Sequence, residues 1–285
     1  MNMGGAAVKV AFAGERGAFA EIAARERFGA GAELVAMPEF GDVFSAVRRG
    51  RAACGVVPIE NSLAGSIHQN YDRLLESKLR IAAEIYLRVN HFLAGKKGTA
   101  LSGVRRVVSH PQALAQCARF LKRSPRMKPV PVANTALAAK MVSEDGQPDT
   151  AAIASMQAAA GYGLEILARN IEDRSDNVTR FLVVSRAPSE NSGAPRKTSI
   201  VFALRNTPGA LFKALAVFAL RDIDLFKIES RPIHGKGFEY LFYLDCVGDI
   251  SDAALKNAVS HLKEITTFYR LLGSYDVAPT TSPSP

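Results

Sequence analysis

Up to residue 185, short apolar runs alternate with stretches in which apolar residues recur every three or four positions. The runs predict strands at 8–14 (VKVAFAG), 54–60 (CGVVPIE), 104–110 (VRRVVSH) and 151–155 (AAIAS). The helical spacing predicts helices at 18–29, 66–77, 111–123, 134–144 and 156–164. Residues 177–184, NVTRFLVV, close the series as one more buried strand. Strands alternating with helices predict an α/β domain with mostly parallel sheets.

At 185–197, SRAPSENSGAPRK, the periodicity stops and Ser, Pro, Gly and charge take over, as in a linker. Beyond it the pattern changes. Strand 198–204 is followed by a helix over 210–222 with Leu211, Leu215, Phe218 and Ala219 on one face. Strands 223–233 and 238–247 flank the Gly-rich turn HGKG at 234–237. A second helix over 252–265 carries Leu255, Ala258, Leu262 and Ile265, and a strand over 269–277 ends the unit. That order, βαββαβ, is the ferredoxin-like arrangement. The low-complexity tail at 278–285 is expected to fray.

Composition adds bounds. The 285 residues are 48% apolar and 22% charged, an ordinary globular composition sized for one or two domains. The formal charge of +9 reads as a solvated basic surface or as attraction for a small anion. Lys and Arg are scattered, with no basic stripe interleaved with aromatics, so nucleic acid is not the expected partner. No run of 18 apolar residues suggests a membrane span. The first residues show neither a secretory nor a transit pattern, which favours a cytoplasmic protein, or the plastid stroma if a leader was removed. Cys54, Cys117 and Cys246 are far apart and form no CxxC, so neither a zinc site nor a disulfide framework is expected.

In α/β sheets, ligands collect beyond the carboxyl ends of strands. Three junctions there carry polar residues. In VVPIENSLAGS, Glu60, Asn61 and Ser62 leave the strand. In VVSHPQAL, Pro111 suits the first helical position, so Ser109 or His110 is a helix cap. In VANTALAAK, Asn134 and Thr135 open another helix, where capping is again the simpler reading. Helix starts of this kind favour a carboxylate. None carries a GxGxxG or P-loop pattern, and GERG at 14–17 is only turn-like, so a nucleotide is not expected. Arg180, at the mouth of the NVTRFLVV strand, has no obvious carboxylate partner. Either a structural partner or a small anion would answer it.

Several stretches, taken together and in order, carry a resemblance: GERGAFAE, GVVPIENSLAGSIHQNYDRLL, VSHPQALAQC, GLEILARNIEDRSDNVTRFLVV, KTSIVF, GALFKALAVFALRDIDLFKIESRP and YLFYLD. The chain resembles the prephenate dehydratases, within them the plant-type arogenate/prephenate dehydratases, from about Val8 to Asp276. The resemblance implies a monofunctional enzyme. Its catalytic domain at 7–186 would have two lobes, like a type II periplasmic binding protein, with chain crossovers near Glu84 and Asp176. A linker at 187–197 and an ACT regulatory domain at 198–277 would follow. It implies homodimers or homotetramers, prephenate or arogenate as substrate, phenylalanine as effector, and no cofactor or metal.

Prephenate loses carbon dioxide and its ring hydroxyl together, and aromatisation drives the reaction. Arogenate, with an amino group in place of the keto group, gives phenylalanine directly. The resemblance ties activity to Thr179, Arg180 and Phe181. Threonine is a poor acid, so Thr179 reads as a hydrogen-bond donor to the departing hydroxyl. Arg180 suits a bidentate carboxylate clamp, and Phe181 is core or cleft wall. Glu60, Asn61, Ser62, Ser109, Gln112 and Thr135 would complete the cleft, with Glu60 as a candidate acid or a loop anchor. In the ACT unit, Asn206, Pro208, Gly209, Ala210 and Leu211, with Glu229, Ser230, Arg231 and Pro232, would hold phenylalanine. Ala210 after the glycine leans toward prephenate over arogenate. A non-catalytic amino-acid sensor is the reading from another class.

Overall fold

A computed structural model describes residues 7–145, 147–233 and 239–279. The expected HGKG turn at 234–237 and nearly all of the tail lie outside the described residues.

The first lobe opens with β1 (Lys9–Ala13), α1 (Phe19–Phe28), β2 (Glu33–Met37) and α2 (Phe40–Arg48). It continues through β3 (Cys54–Asn61), the short β4 (Gly65–Ser66), α3 (His68–Ser77) and β5 (Arg80–Arg88). The second lobe holds β6 (Phe92–Gly95), β7 (Arg106–Ser109), α4 (Pro111–Gln116), α5 (Ala118–Arg123) and β8 (Lys128–Pro131). Then come α6 (Thr135–Glu144), β9 (Thr150–Ala154), α7 (Met156–Gly161) and β10 (Glu165–Ala168). β11 (Val178–Ser185) returns to the first sheet, whose order is β2-β1-β3-β11-β5, with β4 paired to β3. The second sheet runs β10-β6-β9-β7-β8. There β9, β7 and β8 pair parallel, whereas β6 pairs antiparallel with both β9 and β10. The expectation of mostly parallel sheets therefore holds for β2-β1-β3 and for β9-β7-β8, and not for β6 and β10.

The chain passes between sheets just after β5 and just before β11. The first passage follows Glu84 by several residues, because Glu84 sits inside β5 rather than at its end. The predicted helix over 111–123 is two helices broken at Cys117. Asp173 explains the break. Its backbone N–H donates to the Gln116 carbonyl at 2.7 Å, and its carboxylate accepts from the Arg119 N–H at 3.0 Å. A continuous helix would use both groups internally.

The turn between β1 and α1 is fixed against α7. Ser155 Oγ donates to the Gly17 carbonyl at 2.7 Å and accepts the Ala158 N–H. Gly17 has φ +83°, and a Cβ there would lie 2.3 Å from the Ala158 Cα. No side chain fits such an approach, and the positive φ adds strain. Gly17→Ala is expected to lower the melting temperature by several degrees, corresponding to about 1–3 kcal/mol. A melting curve superimposable on wild type would contradict this packing.

The C-terminal body contains β12 (Arg196–Leu204), α8 (Ala210–Ala219), β13 (Leu225–Pro232), β14 (Tyr240–Val247), α9 (Ala253–Ile265) and β15 (Thr266–Asp276). Its antiparallel order β13-β14-β12-β15 is the ferredoxin-like sheet predicted from the sequence. Ile200, Phe202, Phe218, Leu244, Leu255, Ala258 and Leu262 form its core. By contacts this body also takes in residues 74–84. Within it, Lys197 Nζ lies 2.8 and 2.9 Å from the two carboxylate oxygens of Glu84, and both side chains are almost fully buried. Arg196 ties the end of the linker by donating to Asp249, Asp276 and the Glu190 carbonyl. Burial alone would push Asp249 up. The bonds from Ser251 and Arg196 outweigh it and hold that carboxyl below its ordinary value.

Candidate active site

Within the α/β body lies a cavity of about 240 Å³. That leaves room for a small ring compound. Thr179 and Phe181 from β11, Asn61 from the end of β3, and Val89 and His91 after β5 contribute to its wall. So do His110, Gln112 and Gln116 around α4, and Asn134 and Thr135 at the start of α6. Phe19 and Phe40 add the first residues of α1 and α2. Among the described residues, none that lines it is Asp, Glu, Lys or Arg. The positive ends of the α1, α2 and α6 dipoles lie at this wall instead.

The polar groups form one directed network. Asn61 Oδ1 accepts from the Leu63 and Ala64 backbone N–H groups at 3.1 and 3.0 Å. Backbone N–H groups only donate, so that atom is the oxygen and the other is the NH₂. Asn61 Nδ2 donates to Asn177 Oδ1 at 2.7 Å and to Thr179 Oγ1 at 2.9 Å. Thr179 Oγ1 is therefore an acceptor toward Asn61, and its own proton is left for another group. Gln112 Nε2 donates to Asn61 Oδ1 at 3.3 Å.

The expected caps are present. His110 Nδ1 accepts from the Gln112 N–H at 3.2 Å, and Asn134 Oδ1 from the Leu137 N–H at 2.7 Å. Burial pushes the His110 pKa down. A neutral His110 whose Nδ1 accepts carries its proton on Nε2. Capping and membership of the wall thus coincide at His110 and Asn134, which the sequence offered as alternatives.

Other expected site residues stand elsewhere. Arg180 is buried on β11 between Thr179 and Phe181 and does not line the cavity, because successive strand residues face opposite sides. The expected carboxylate clamp is thus not part of this wall. Ser109 is fully buried, donates to the Ile153 carbonyl at 2.6 Å and joins β7 to β9. Ser62 clips the β3 turn to β11: its Oγ donates to the Asp176 carbonyl at 2.9 Å and accepts from the Val178 N–H at 3.0 Å. Glu60 is in register with Ser66 of β4 and is not in the wall. Gln116, Asn177 and His91 were not singled out from the sequence. Gln116 lies in the quoted motif, four residues after Gln112 and so on the same helix face.

In the C-terminal body, Gly209 is the N-cap of α8 with φ +75°, and space beside its Cα is open. Asn206, Pro208, Ala210 and Leu211 surround that turn, and Glu229, Ser230, Arg231 and Pro232 end β13. A second cavity in this body is lined by Arg205, Asn206, Ile233, Glu239, Leu241 and Phe268, among others. It includes Asn206 of the expected effector residues.

A cavity with uncharged lining in a two-lobed α/β body, followed by a ferredoxin-like unit, defines a ligand-binding domain with a second domain appended. Comparison with known proteins gives the class. The Prephenate dehydratase family matches residues 10–189, and the ACT domain matches residues 198–262. The chain is 47% identical to "Arogenate dehydratase/prephenate dehydratase 2, chloroplastic" of Arabidopsis thaliana, over 97% of this chain and 74% of that one. Among solved structures it is similar to "GqqA- a novel type of quorum quenching acylases". That similarity has a TM-score of 0.88 at 34% identity, over 95% of this chain and 98% of that one. It is also similar to the prephenate dehydratase of Arthrobacter aurescens in complex with L-Phe. There the TM-score is 0.87 at 34% identity, over 97% of this chain and 94% of that one. The chain belongs to the prephenate dehydratase family.

Proposed function

We propose that this cavity carries out the decarboxylating dehydration of prephenate to phenylpyruvate in phenylalanine biosynthesis. The enzyme is a carbon–oxygen lyase, feedback-regulated by phenylalanine through its ACT domain. The ring carboxylate leaves as carbon dioxide, and its C–C electron pair enters the ring. The pair of the breaking C–O bond leaves with the hydroxyl, which takes up a proton to become water. The single observation that carries this reading is the Thr179 hydroxyl. Asn61 holds its oxygen as an acceptor, so its proton is available for a departing oxygen. A preorganised hydrogen-bond donor of this kind contributes about 10²–10³ in rate. Phe181 supports the ring, and Gln112 and Thr135 complete the polar wall.

The electrostatics favour prephenate over arogenate. Helix N-termini in a wall with no acidic side chain among its described residues suit two carboxylates and offer no counter-charge to an ammonium. Ala210 leans the same way, while the Arabidopsis relative carries both names. Measuring kcat/KM on prephenate and on arogenate separately tests this, with prephenate expected to give the larger value. A larger value on arogenate would reverse the preference while leaving the dehydratase reading intact.

A sulfur nucleophile of the kind an acylase could use is not offered by this wall. The three cysteines are buried and line no part of it, and burial pushes Cys54 up to about 11 and Cys246 to about 12. For regulation, phenylalanine is expected to raise the melting temperature of wild type and to leave Gly209→Val unmoved. An equal rise in both would place the effector elsewhere than the Asn206–Leu211 turn.

A further inference from the structure

The hydrogen-bond network has a second end. Asn177 Oδ1 faces Asn61, so its Nδ2 faces Gln116, and Gln116 Oε1 accepts it at 3.0 Å. The same Gln116 Oε1 lies 2.9 Å from His91 Nε2. An oxygen there requires His91 to be the donor, so the proton of the neutral ring sits on Nε2. The direction set by two backbone N–H groups at Leu63 and Ala64 thus passes through Asn61, Asn177 and Gln116 and fixes a histidine tautomer. His91 Nδ1 is then a bare acceptor. It is buried and has no hydrogen-bond partner among the described residues, although His91 belongs to the cavity wall.

The surroundings keep the ring in this state. Phe19 packs edge-on to the imidazole with ring centroids 6.0 Å apart, and the His91 backbone N–H donates to Glu172 at 2.9 Å. Burial lowers the His91 pKa against the bond to Gln116 and the charge of Glu172, which act the other way. A buried acceptor left without a partner destabilises the fold.

We propose that His91 is a substrate-binding residue whose Nδ1 accepts a hydrogen bond from the substrate. The network then ends in a donor at Thr179 and an acceptor at His91. The substrate offers two donors of this class, the ring hydroxyl and, in arogenate alone, the ammonium. This assignment rests on the dehydratase reading above, which fixes what the substrate carries.

Two substitutions separate the two nitrogens. Gln places its amide near Nε2 and keeps a donor toward Gln116 while removing the Nδ1 acceptor. Asn places an oxygen near Nδ1 and abandons the Gln116 bond. Expected results are a loss of about tenfold or more in kcat/KM for His91→Gln at unchanged melting temperature, and partial recovery in His91→Asn. A loss shared by prephenate and arogenate assigns the contact to the ring hydroxyl, and a loss on arogenate alone assigns it to the ammonium. His91→Gln within twofold of wild type on both substrates overturns the proposal. A ¹⁵N NMR spectrum of wild type, assigned by the signal missing from His91→Gln, needs no turnover. It is expected to show His91 protonated on Nε2 alone at neutral pH, and protonation on Nδ1 overturns the proposal. A wild type inactive on both substrates would refute the dehydratase reading while the spectrum still decided the tautomer.

Discussion

Thr179→Val is expected to fold as wild type and to lose turnover of prephenate by about 10²–10³. Valine keeps the shape and the branched fit to β11. It removes a hydroxyl whose proton the network leaves available, since Asn61 Nδ2 already uses the Thr179 oxygen as an acceptor. Thr179→Ser keeps a hydroxyl at the same position and is expected to retain far more activity than Thr179→Val. Steady-state kinetics beside melting curves check the pair. If Thr179→Val turned over near the wild-type rate, Thr179 would be only a partner for Asn61.

The second large effect concerns stability. Lys197→Met leaves the Glu84 carboxylate buried without its close ammonium, whose two contacts are at 2.8 and 2.9 Å. Removing one member of a buried pair costs about 3–5 kcal/mol, because the remaining charge stays out of water. The loss includes the contact of Lys197 with the Phe226 ring, 4.1 Å from Nζ to centroid. A fall of about 10 °C in melting temperature is expected. The double variant Lys197→Met with Glu84→Gln should recover part of it, because no uncompensated ion remains. A single variant that melts with wild type would mean the pair is dispensable.

The sequence made some of this legible. Residues that act locally were readable. Pro111 marked the α4 start and Asn134 capped α6 as expected, and the apolar, β-branched run of NVTRFLVV predicted strand β11. The alternation of side chains along any strand separates Thr179 and Phe181 from Arg180. The motif resemblance treated the three as one unit and so gave Arg180 a place in the wall. Strand β5 went unread because Glu84 interrupts its apolar run, and the residue that makes that charge tolerable is Lys197, far away in sequence. The break at Cys117 was hidden for a similar reason: Asp173 supplies the two bonds that end one helix and start the next.

The network could not be read from any single stretch. Asn61, Gln116, Asn177 and His91 come from four separate segments, and each alone is an ordinary polar residue. Their roles follow only from which atom faces which. The ferredoxin-like unit was legible almost whole, since its strands and helices alternate without long-range exceptions.

The most direct test of the central claim is to incubate the purified protein with prephenate and follow carbon dioxide and phenylpyruvate together. Equal amounts of both products, with Thr179→Val as a near-blank, are the predicted result. Absence of both products with intact wild-type protein, or equal rates from wild type and Thr179→Val, would contradict it.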